Sequence, residues 1–143
     1  MNLRSQQLHR RWLLVTAVIV GAFGPVFSLA TLPASDEFAR WTLDLLAWPL
    51  DGSQQYSDGA MRFLSALTGG FLLGWGVMIL CLRQWVYDAA PEQTRRAVVC
   101  GLLAWFLLDS TGSLAAGVAS NAVFNVIVLL LAVGPLWWPA RAD

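Results

Sequence analysis

The chain has 143 residues, 57% of them hydrophobic and only 13% charged, a composition that excludes an ordinary soluble domain and points to the membrane class as one unit, residues 1–143. Formal net charge is zero and the nine basic residues are all arginine, so the charge balance calls for no nucleic-acid partner. Two cysteines, Cys81 and Cys100, lie inside apolar runs, the wrong placement for a secreted disulfide framework.

The first predicted element follows a basic tail in which His9, beside Arg10 and Arg11, is expected to be solvated. A run from about residue 12 to 32 is long enough to cross a hydrocarbon layer of roughly 30 Å as a helix, which pairs every backbone polar group internally. Gly21, Gly24 and Pro25 mark close approach or a kink within it. A cleaved signal peptide is the competing reading, because Ser28-Leu29-Ala30 offers small residues at the spacing a signal peptidase reads.

Next comes an amphipathic helix over 36–48. Ser35 is the expected N-cap, Asp36 and Glu37 suit the positive end, and Phe38, Trp41, Leu45 and Leu46 repeat at helical spacing until Pro49. Arg40 lies one turn from both Asp36 and Asp44, so three charges share a polar face. Such a helix lies in the interface plane over the ends of a bundle, with Trp41 and Trp48 at headgroup depth.

The second span covers about 63–82, with Arg62 at its border. Ala66, Gly70 and Gly74 fall at successive i+4 positions, a small-residue stripe of the kind that lets membrane helices approach closely, and Gly69 and Gly76 widen it. An internal packing role is expected, with a second subunit as the alternative. The third span, 97–113, is apolar only to Leu108 and must continue through Asp109, Ser110 and Thr111 to cross. Gly112 and Gly117 then allow a tight turn into the fourth span, 121–137. Trp75 and Trp105 lie deep in their spans and read as packing residues, while the other six tryptophans sit near span ends, where an indole is half wet.

Arginine placement sets the orientation, since positive residues in short flanking loops stay on the cytoplasmic side. Arg4, Arg10, Arg11, Arg83, Arg95, Arg96 and Arg141 fall on one side of four spans, which makes both termini cytoplasmic. Cys81 and Cys100 then lie at one depth on neighbouring helices, as two small buried hydrophobes.

Asp109 is the residue that most needs explanation. It stands thirteen residues beyond Arg96, about 20 Å across the layer at 1.5 Å per residue. A bare carboxylate there costs at least about 2.5 kcal/mol, so it must be partnered, protonated or wet. The expected partners are Arg62, which borders the second span on the same side, and Asn121 with Asn125, one turn apart in the fourth. Ser110, Thr111, Ser113 and Ser120 add donors. A structural knot is the first reading of this cluster and an outward-opening ligand or proton site the second.

No paired histidines, HExxH, CxxC, GxSxG, phosphate-binding loop or dinucleotide fingerprint occurs in the sequence, so no metal or cofactor is expected. Four short spans, the loop before the second, "GGFLLGWG" in that span and "DSTGS" closing the third resemble the small bacterial four-helix membrane proteins of the DoxX-like kind and neighbouring uncharacterised families. That resemblance implies a four-helix bundle in a bacterial inner membrane and carries no catalytic residue to this chain.

The expected protein is therefore all-α and polytopic, a four-transmembrane-helix bundle with an interfacial amphipathic helix between spans 1 and 2. Its expected role is non-enzymatic, as an accessory or scaffolding component of a membrane complex or oligomer. Its partners would be the lipid bilayer and a membrane protein or a second copy. The alternative is a small carrier or binding protein that holds a small or lipophilic ligand at the Asp109 cluster.

Overall fold

The computed structural model describes residues 3–140, with side chains from Ser5 onward; the Arg4 side chain and Arg141 lie outside the described residues. Five α-helices follow in order: α1 (Leu3–Leu29), α2 (Glu37–Ala47), α3 (Gly59–Cys81), α4 (Pro91–Ala115) and α5 (Ala119–Val133). A π-helical turn (Leu82–Val86) extends α3 and a 3-10 turn (Gly134–Trp137) extends α5. α1, α3 with its π-helical turn, α4, and α5 together with its 3-10 turn are each long and apolar enough to span a membrane. The third runs through Asp109 to Ala115, so the helix does continue past its apolar part.

α1 begins well before the apolar run, and this overturns the reading of His9 as solvated. Held in the helix, His9 is 2% exposed and donates from Nε2 to Pro135 O at 3.1 Å. It opens a seam of α1 residues on the end of α5: Trp12 Nε1 donates to Leu131 O at 3.2 Å, and Thr16 Oγ1 to Ala132 O at 2.6 Å. Pro135, just past α5, has no N–H to give Leu131 O its helical donor, and the Trp12 indole of α1 supplies one. The α3–α4 connection closes the same end, with Arg83 Nε donating to Arg10 O and Tyr87 Oη to Gln6 O. Glu92 gathers Arg95, Arg96 and the Ala140 N–H. The described ends of the chain and the arginine-rich turn thus share one end of the bundle, the termini end, and α2 occupies the other.

α1 and α3 are the most intimate pair, and the contact falls on Gly69 and Gly76, the glycines expected only to widen the stripe, and not on Gly70 and Gly74. A Cβ on Gly76 would stand 2.7 Å from Gly21 Cα and 2.8 Å from Ala17 O, and one on Gly69 would strike Gly24 O and Ser28. Gly70 and Gly74 face outward with nothing near them, and Ala66 is half-buried at the edge. The physical reason lies on α1, where Ala17, Gly21, Gly24 and Ser28 form a small-residue face whose spacing matches Ser65, Gly69 and Gly76. Pro25 sits within α1 without ending it.

The main core occupies the termini end, built from Leu13, Ala17, Val20, Ile79, Val98, Leu102, Leu129 and Val133 among others. Bulky apolar residues elsewhere on the four long helices, such as Leu64, Phe71, Val77, Leu107, Val123 and Leu130, point outward. Cys100 is exposed on α4 and Cys81 half-buried on α3, both as free thiols, so they are not two buried hydrophobes.

α2 packs on α1 and α5 through Ala39 and Thr42, with Phe38, Trp41 and Trp48 exposed on its other side. Phe38 and Trp41 stack at 6.0 Å between centroids. Ser35 does not cap it: its hydroxyl donates to Leu29 O and Leu32 O, closing α1 instead. Asp44 leaves the expected three-charge face and accepts from Gly52 N at 2.6 Å, bracing the following loop.

Candidate functional site

Gly117, with φ of +78°, turns the chain between α4 and α5 in a conformation that suits glycine. Gly112 lies inside α4 and takes no part in the reversal itself. The turn is short, so residues on the last turns of α4 face the first turns of α5. Asn121 Nδ2 donates to Asp109 Oδ1 at 3.1 Å and to Ser113 Oγ at 2.7 Å, and Ser113 Oγ donates to Asp109 Oδ1 at 3.2 Å. Asn125, 2% exposed, donates from Nδ2 to Ser110 Oγ at 3.3 Å.

Three expected members of this cluster lie elsewhere. Arg62 turns away from Asp109: Nη2 meets Asp36 Oδ2 at 2.9 Å and Nη1 donates to Ala30 O at 2.6 Å. The α1–α2 connection brings Asp36 beside the first turn of α3, while α4 stands away from α3 at this end, so the near carboxylate wins. Arg40 also pairs with Asp36, at 3.1 Å, and the Arg62 guanidinium lies 6.0 Å from the Tyr56 ring centroid. Thr111 is exposed and returns its hydroxyl to Leu107 O and Leu108 O of its own helix. Ser120 serves a third purpose, donating to Leu46 O of α2 at 2.6 Å.

Sequence reasoning did not find the cavity that this cluster borders. A cavity of about 770 Å³ lies among α1, α3, α4 and α5 in the α2 half, with Leu46 of α2 at its rim. Phe23, Phe27, Leu72, Trp75, Trp105, Leu108, Phe124 and Val128 make its walls apolar, and Thr68, Asp109, Asn121 and Asn125 are its polar residues. Along α4 it extends from Leu102 to Asp109, about 10 Å of helix. The deep tryptophans foreseen as packing residues pack on each other, at 6.5 Å and 60°, and form the floor on the α3 and α4 sides.

Chemically, the polar corner offers acceptors. Among the described residues both donors to Asp109 go to Oδ1, leaving Oδ2 open, and nothing donates to Asn125 Oδ1. No cationic side chain lines the cavity. Nor do three or more His, Cys, Asp or Glu residues come together anywhere among the described residues. No known protein family, curated protein or solved structure matches the chain.

Proposed function

We propose that this chain is a multi-pass protein of a bacterial inner membrane that binds a lipophilic small molecule in the cavity between its helices, anchoring it at the Asp109–Asn121–Asn125 corner. The cavity carries this reading: its volume lies within the range of small-molecule sites, roughly 300–1,000 Å³, and it combines apolar walls with a few convergent polar groups. The outward belt of leucine, valine and phenylalanine supports immersion in lipid, since soluble monomers rarely expose so much contiguous apolar surface. The described arginines Arg10, Arg11, Arg83, Arg95 and Arg96 gather at the termini end, which supports placing that end in the cytoplasm. At the other end Arg40 and Arg62 are both held by Asp36.

Mass spectrometry of the organic extract from protein purified in nanodiscs tests the reading. The native chain is expected to retain one lipophile in fixed proportion, and Val128→Phe, which fills the cavity from α5, to lose it. Equal retention by both, or none by the native chain, overturns it.

A second reading, an accessory or scaffolding subunit, draws on the outward stripe of Gly70 and Gly74, which no described residue covers. Its test is the oligomeric state: Gly70→Leu with Gly74→Leu should dissociate an assembly that the native chain forms in lipid.

A further inference from the structure

The cavity has a direction. Deep in the bundle α3 and α4 are bridged by Trp75, whose indole lies against Gly101 and across the Trp105 ring. From there toward the α2 end the two helices are not close neighbours. Phe71 and Leu108 line the cavity and are nevertheless 70% and 79% exposed, so the cavity opens sideways between them. In a bilayer that opening faces acyl chains.

At the inner end of this sideways path the free polar atoms are acceptors. Asp109 Oδ2 lies open, and the Asn125 side chain, almost fully buried, keeps an unpaired Oδ1 at the cavity wall. A carboxylate with no cation beside it, in surroundings this apolar, lacks a positive partner. The Arg62 and Arg40 guanidiniums are committed to Asp36.

We infer that the ligand is a single-chain amphiphile with an ammonium head, which enters from the lipid between α3 and α4 and docks its N–H donors on Asp109 Oδ2 and Asn125 Oδ1. This rests on the binding reading above and adds the head group and the entry path. An ammonium supplies both the missing charge and several donors, whereas a carboxylate or phosphate head would meet Asp109 with like charge and bring no matching donor. The apolar walls from Trp75 and Phe23 to Phe71 accept the tail.

Equilibrium dialysis of decylamine, decanol and decanoate into phosphatidylcholine nanodiscs, with and without the protein, separates the two layers of this inference. Decylamine is expected to bind in excess over empty discs, at least tenfold more tightly than decanoate, with decanol between. Asp109→Asn keeps an acceptor for Asn121 and Ser113, and should lower decylamine binding to the level of decanol while decanol is unchanged. Asn125→Leu is expected to weaken both. Binding of decanoate as tight as that of decylamine overturns the head-group assignment and leaves the cavity reading standing. Failure of all three probes to exceed empty discs removes both. Adding phosphatidylethanolamine to the discs tests the single chain: unchanged decylamine binding supports a free single-chain amine, and loss of decylamine binding overturns that part of the proposal by showing that a two-chain lipid occupies the site.

Discussion

Arg62 of α3 meets Asp36 at the entrance to α2 with an Nη2–Oδ2 distance of 2.9 Å, and Arg40 approaches the other oxygen of the same carboxylate. One nearly buried aspartate thus ties together the α1–α2 connection, α2 and α3. The pair is not a surface ion pair of negligible worth, since Asp36 is only 7% exposed and Arg62 also reaches Ala30 O. Asp36→Ala strands both guanidiniums near a small core of Ala30, Ala39 and Tyr56. The expected loss is about 2–3 kcal/mol, the scale of hydrogen bonds to charged groups. Denaturant titration in mixed micelles measures it, and an Asp109→Ala variant should not reproduce the effect on α2. If Asp36→Ala unfolds at the native midpoint, the tie carries no stability.

The two glycine faces of α3 make a sharper contrast. A methyl group on Gly76 would collide with backbone atoms of Gly21 and Ala17, which cannot swing aside as a side chain could, whereas one on Gly74 meets nothing. Gly76→Ala is therefore expected to destabilise by about 1–3 kcal/mol, the usual range for overpacking. Gly74→Ala should be neutral or slightly stabilising in the monomer, because alanine is the better helix former. Thermal unfolding of the two variants side by side checks this, and equal midpoints would mean that α1 and α3 cross elsewhere.

This contrast also marks what the sequence could tell. The four long helices and α2 were legible because hydrophobic period and run length are local properties. So was the Asp109–Asn121 contact, because a turn of few residues leaves the flanking side chains little choice. Which small residues face a neighbour is not local: Gly69/Gly76 and Gly70/Gly74 are both permissible within α3, and only the complementary spacing of Ala17, Gly21, Gly24 and Ser28 on α1 selects the first. Arg62 meets Asp36 and not Asp109 for the same reason. Its partner depends on how far α4 leans from α3, and that lean is what opens the cavity. His9 is buried although its charged neighbours point to solvent, because the helix that contains it starts six residues earlier and turns it inward.

Tyr56 and Tyr87 bracket the bundle, one at the α2 end and one beyond the last turn of α3. Burial, the dominant cause, pushes both phenols above the ordinary tyrosine value of 10.0; Asp36 adds to it at Tyr56 and Asp88 at Tyr87. Because the folded chain holds these protons more tightly than the unfolded chain, their contribution to stability is complete below pH 10 and lost as pH climbs through the raised values. Loss is expected to be visible at Tyr87 as release of its bond to Gln6 O. Near-ultraviolet phenolate absorbance should rise late relative to free tyrosine, and Tyr56→Phe should remove one of the two late transitions. A single transition at the ordinary value would show that both rings are freely hydrated.

The last prediction concerns the roof of the cavity. Leu46 reaches the cavity rim, and its carbonyl accepts from Ser120 Oγ at 2.6 Å, the hydrogen bond that fastens the C-terminal part of α2 to the first turn of α5. The N-terminal part is fastened independently by Asp36 and Arg62. Ser120→Ala should therefore loosen one end of α2 and not the other. A neutral hydrogen bond contributes about 1 kcal/mol, so amide exchange over 43–47 is expected to quicken about fivefold while exchange over 37–40 stays near its native rate. Hydrogen–deuterium exchange resolved by peptide reads both segments in one experiment. Uniform acceleration along α2 would mean that the helix detaches as a single rigid piece. No acceleration at all would mean that the packing of Thr42 and Ala39 holds the roof without help from the Ser120 hydrogen bond.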